Sequence, residues 1–135
     1  MLIIIPGNPS GATINKARRA GVVKYGKHKG KPMTYSTPKA KKWRVAAVLI
    51  IRAAWSQRAT GTPMPRAVEI TTYWPRIRRK GPAAGEPMGD VDACLKAVLD
   101  ALAGGGVVPD DAVFRRVVLE NAYDPKRPRI EVRIG

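Results

Sequence analysis

The sequence predicts a single α+β domain, a mixed β-sheet packed against two main helices. Three observations carry that prediction. Short β-rich runs stand at both ends and in the middle of the chain, two amphipathic segments with helical spacing lie between them, and neither an internal repeat nor a linker divides the 135 residues. That length, with 44% hydrophobic residues, suits one core.

Leu2 to Ile5, "LIII", reads as a short buried strand that stops at Pro6. It is too short for a signal peptide or a membrane span. Residues 6–36 hold five Gly, three Pro and many Lys and Arg with little periodicity, so a basic mobile loop is expected at about 6–36. Thr37 then reads as an N-cap and Pro38 as the first residue of a helix. Within that helix Ala40, Trp43, Ala47, Ile50, Ile51 and Ala54 form the core stripe. Lys41, Lys42, Arg44 and Arg52 lie largely off it. "AVEITTYWP" is a β-rich run closed by Pro75, and "PRIRRKGPAAGEPMG" is a second basic, Gly/Pro-rich loop. Leu95, Val98, Leu99 and Leu102 make the second helical stripe, which ends at Gly104-Gly105-Gly106. "AVFRRVVLENAY" reads as a strand, "DPKRP" as a turn, and "RIEVRI" alternates as the last strand, so the chain closes on an expected hairpin.

Charge is distributed unevenly. The chain carries 25 Lys and Arg against 10 Asp and Glu, a net charge of +15. Before Asp90 there are 18 basic and two acidic residues, a net of +16, whereas residues 90–135 sum to −1. A field this positive attracts polyanions, nucleic acid first and an anionic membrane surface second. The basic residues lie in Gly/Pro-rich loops as well as on a helix, which argues against a membrane partner. Lys16, Arg18, Arg19, Lys24, Lys27, Lys29 and Lys31, with Arg76, Arg78, Arg79 and Lys80, are the expected DNA-binding residues. Tyr25 and Tyr35 lie in the same arm, where stacking on unpaired bases is one reading. One Cys and one His exclude a disulfide framework, a cysteine-based zinc site and a His-pair metal site. Cys94 reads as core, no sequence feature needs an oxidising compartment, and a cytoplasmic location is the expectation.

Asp90, Asp92, Asp100, Asp110 and Asp111 account for five of the ten acids. Helix capping by Asp92, the i,i+4 pairs Asp92–Lys96 and Lys96–Asp100, and turn formation by Asp110-Asp111 would each explain one of them separately. Together they suggest more. Asp90 and Asp92 stand where a basic loop meets a helix, and the Gly-rich turn returns the chain to Asp110-Asp111. Carboxylates gathered there would repel one another without a hard cation such as Mg²⁺, which takes carboxylate, water and phosphate oxygens. Carboxylates with a Lys, beside a surface that gathers nucleic acid, are parts for metal-assisted phosphodiester hydrolysis. A non-catalytic nucleic-acid-binding protein, or a nuclease acting on flaps, forks or RNA, fits the same composition. No Gly-rich run ends in Gly-Lys-Ser/Thr, so a P-loop is excluded.

"DVDACLKAVLDAL" followed by "DD" resembles the RusA Holliday-junction resolvases, many of them encoded by phages and prophages. The opening strand with its Pro/Gly turn, "YSTPKAKKW" and the closing strands match more loosely. The resemblance implies an Mg²⁺-dependent endodeoxyribonuclease, Mn²⁺ being a possible substitute, that resolves four-way junctions by paired nicks in recombination and repair. It also implies a homodimer, Asp90, Asp92 and Asp111 as catalytic metal-binding carboxylates, and Lys96 as the catalytic lysine, with Asp110 the less favoured member of the later pair. Ala93 stands where the family usually has Asn, which removes a contact able to orient a ligand.

Overall fold

A computed structural model describes residues 1–13 and 18–135. It is the expected α+β domain, with a four-stranded mixed sheet ordered β1-β6-β4-β5 and a separate two-stranded ribbon, β2-β3. The strands are β1 (Leu2–Pro6), β2 (Arg18–Val22), β3 (Pro32–Ser36), β4 (Ala67–Trp74), β5 (Arg116–Tyr123) and β6 (Arg129–Ile134). The helices are α1 (Pro38–Ser56) and α2 (Leu95–Gly104).

β1 is buried on one face only. Ile3 and Ile5 are 2% exposed, while Leu2 and Ile4 are exposed, because alternate side chains of this edge strand point to opposite faces and only one face meets the core. β4 is the centre of the sheet, pairing antiparallel with β6 and parallel with β5. Its alternation Val68, Ile70, Thr72, Trp74 places four side chains in the core. A parallel pair requires a long crossover, and here α2 lies within it.

Two expectations are corrected. The segment expected as a loop at about 6–36 contains a 3₁₀ turn over Pro9–Ala12 and the β2-β3 ribbon. The ribbon is antiparallel from Arg18↔Ser36 to Val22↔Pro32, and its turn is held by Val23 N–H donating to Lys31 C=O and Gly30 N–H to Val23 C=O. Among the described residues its strands pair only with each other, and Gly21 and Pro32 interrupt any apolar alternation in their sequence. The closing strands β5 and β6 are not a hairpin, because β4 stands between them. The turn joining them crosses the end of β4, where Asp124 N–H donates to Trp74 C=O.

α1 begins as expected. The Thr37 hydroxyl accepts from Ala40 N–H and Pro38 follows it. Ala47, Ile51 and Trp55 are its buried residues, with Trp43, Ile50 and Ala54 packed beside them. α2 buries Val98, Ala101 and Leu102. The two helices approach closely at Gly105, where an added Cβ would sit 2.5 Å from Ile51 Cγ2. Neither helix is long and apolar enough to cross a membrane.

Candidate active site and nucleic-acid interface

The acidic turn is placed by the elements on either side of it. After Trp74 the chain forms a short finger, with an Ile77–Pro87 bridge and hydrogen bonds from Arg78 N–H to Glu86 C=O and from Met88 N–H to Arg76 C=O. The finger brings Arg78 back over Asp90, and their side chains pair at 2.7 Å (Nη2–Oδ1). Arg78, expected as a phosphate contact, is therefore the partner of the first carboxylate in this structure. Arg76, Arg79 and Lys80 are exposed on the same finger.

α2 begins three residues after Asp92 rather than directly after it. Asp90 to Cys94 instead form consecutive turns, Ala93 N–H donating to Asp90 C=O and Leu95 N–H to Asp92 C=O. Asp92 is thus neither the cap of α2 nor paired with Lys96. Its carboxylate is exposed and makes no hydrogen bond or ion pair among the described residues. Cys94 anchors the turn in the core at 2% exposure, and burial pushes its thiol up to about 12, which makes it an inert packing group.

One turn on, Lys96 Nζ stands 2.8 Å from Asp100 Oδ1 and 2.9 Å from Asp111 Oδ2. The hydrogen bond to Asp100, then that to Asp111, holds the ammonium well above the usual lysine range. Lys96 in turn holds the Asp111 carboxyl below the usual aspartate range. Asp100 has the structural ion-paired role expected of it. The Asp110 carboxylate accepts from Ala112 N–H at 2.8 Å, capping the 3₁₀ turn Asp111–Val113.

The structure thus joins Lys96 to Asp111 and leaves Asp90 with Arg78. Among the described residues no three His, Cys, Asp or Glu side chains stand close enough together to hold a metal ion. The donor types nevertheless suit a hard divalent cation. Asp90 and Asp92 are exposed carboxylates, and the pairs on Asp90 and Asp111 are surface ion pairs of small net worth that a cation can displace.

The model described as Endodeoxyribonuclease RusA matches residues 6–135, nearly the whole chain. The chain belongs to the RusA endodeoxyribonuclease family. As a RusA-family member it is an enzyme of the endodeoxyribonuclease class. No curated protein matches it.

Lys24, Lys27, Lys29 and Lys31 are exposed on the turn of the β2-β3 ribbon and have no acidic partner among the described residues. Tyr25 beside them is 86% exposed, a position open to stacking. Lys16 lies outside the described residues, as do the side chains of Arg18, Arg19 and Tyr35. Sequence reasoning missed three residues that hold the acidic turn: Trp74, Gly89 and Asn121. Trp74 Nε1 donates to Asn121 Oδ1 at 3.1 Å, and Asn121 Nδ2 donates to the Gly89 carbonyl at 2.6 Å. Asn121 is 32 residues from Gly89 in the chain, so no local pattern links them.

Proposed function

We propose that this RusA-family enzyme is a divalent-metal-dependent endonuclease that cuts four-way DNA junctions by paired, symmetric nicks and acts as a homodimer. The observation that carries the reading is the Lys96–Asp111 contact, which unites in space the two halves of a motif separated in the chain. Asp90, Asp92 and Asp111 are the carboxylates that would hold Mg²⁺ or Mn²⁺. When bound, the cation supplies neutralisation of phosphate charge and activation of water.

The chain's own groups do the rest. In hydrolysis a water oxygen bonds to phosphorus, one P–O bond to sugar breaks, and the leaving oxygen needs a proton or a positive charge. Lys96, paired with Asp100, is a cation and donor at Nζ rather than a base. The ribbon lysines and the finger arginines hold the flanking phosphates. Two nicks on opposed strands require two sites, which a C₂ dimer supplies. Trp55 is buried and Trp43 partly buried against the core, whereas the outer face of α1 (Val45, Leu49) and the β5 edge (Val117, Val118) are exposed and open to such a contact.

A synthetic four-way junction incubated with Mg²⁺ or Mn²⁺ tests the reading. Paired nicks are expected from the wild-type protein, and none from Asp90→Asn, Asp92→Asn or Asp111→Asn, each of which still binds the junction. A band shift without cleavage in either metal would refute the catalytic reading and leave a plain binder. Flap, fork and RNA substrates cut in preference to the junction would change the substrate class.

A further inference from the structure

We propose that Asn121 positions Asp90, acting through the Gly89 peptide. The role rests on Asp90 being a metal-binding carboxylate. Asp90 is poorly fixed by its own side chain, which is 70% exposed and held by one surface pair with Arg78. What fixes it lies in the backbone just before it. An added Cβ on Gly89 would fall 1.9 Å from Trp74 Cζ2, so the main chain here lies directly against the indole and only glycine fits. The ring itself is held, being 4% exposed at the end of the central strand.

The indole also orients the amide of Asn121. An indole N–H can only donate, so Asn121 must turn its oxygen toward Trp74 and its NH₂ toward Gly89. The hydrogen bond onto Gly89 C=O sets the plane of the peptide that ends at Asp90 N and Cα. Trp74 and Asn121 thereby fix where the Asp90 side chain starts, from two paired strands of the sheet. Within the turn itself Ala93 offers no side-chain amide. Asn121 reaches the turn from β5 instead.

Asn121→Ala removes both hydrogen bonds, and Asn121→Leu fills the same space without restoring them. Both should weaken Mn²⁺ binding without DNA, read by water-proton relaxation, and raise the half-saturating Mg²⁺ for cleavage, each by about 10–100-fold. Excess metal should recover cleavage, and junction affinity in EDTA should not change. Trp74→Phe keeps an aromatic ring but loses the donor and part of the indole that lies against Gly89, and should give a change of the same sign, which serves if the Asn121 variants do not fold. Folded Asn121 variants with wild-type Mn²⁺ affinity would overturn the positioning role alone. So would wild-type metal demand in Asn121→Leu, since packing would then suffice. A wild-type protein that binds no Mn²⁺ would overturn the metal-carboxylate reading as well.

Discussion

The lysines of the β2-β3 turn give the most quantitative test of how DNA is held. Lys24, Lys27, Lys29 and Lys31 are exposed and have no acidic partner among the described residues, so each is available to a phosphate. The turn itself is fixed by main-chain hydrogen bonds, Gly30 N–H to Val23 C=O at 2.8 Å and Val23 N–H to Lys31 C=O at 3.0 Å. Replacing all four lysines with serine should therefore leave the ribbon in place and remove charge alone. Each phosphate contact contributes about 0.9 to the slope of log affinity against log salt, so the slope should fall by about 3.6 if all four make contact. Between 50 and 200 mM salt, the wild-type affinity should then drop about 150-fold more than that of the variant. Fluorescence anisotropy of a labelled junction in EDTA, across a salt series, measures both slopes. Equal slopes would refute the argument and place the DNA path away from the ribbon.

Two further outcomes test the packing and the charges around the sheet. Ile51 is fully buried and touches the close approach at Gly105, so Ile51→Ala should cost about 2–5 kcal/mol in urea unfolding, and a loss under about 1 kcal/mol would contradict the packing. The Arg127 backbone N–H, followed by the Arg129 guanidinium, holds the Asp124 carboxyl below its ordinary 3.8. A depressed carboxyl stabilises the fold fully above its unfolded value and loses that contribution as pH falls through the folded one. Asp124→Ala should accordingly lower Tm at pH 7 and have little effect near pH 2, whereas an equal deficit at both would show that charge is not the cause.

Elements governed by local rules were legible in the sequence. Thr37 and Pro38 mark the start of α1 because capping is decided within four residues, and the alternation in β6 is decided by which face meets the core. Strand order was not legible. "AVFRRVVLENAY" and "RIEVRI" are close in the chain and read as a hairpin, but β5 takes a parallel place beside β4 and leaves β6 on the other side. The ribbon was hidden because Gly21, Pro32 and the surrounding basic residues give its strands no apolar alternation. At the site, the residue types were readable and their pairing was not. Asp92 as a cap assumed that α2 starts at once, whereas the consecutive turns through Cys94 delay it. Arg78 resembles any other loop arginine until the finger folds back onto Asp90.

The pairing of β1 with β6 has a consequence for how the chain acquires its structure. Leu2 lies opposite Arg133, and the Met1 carbonyl accepts from Ile134 N–H, so β1 must wait for β6, the last strand of the sheet in chain order. Closing a loop that spans almost the whole chain gives the sheet a high contact order, and such topologies fold slowly for their size. Until β6 emerges, the nascent "LIII" segment carries an apolar strand with no neighbour. During synthesis it is open to mispairing with another chain.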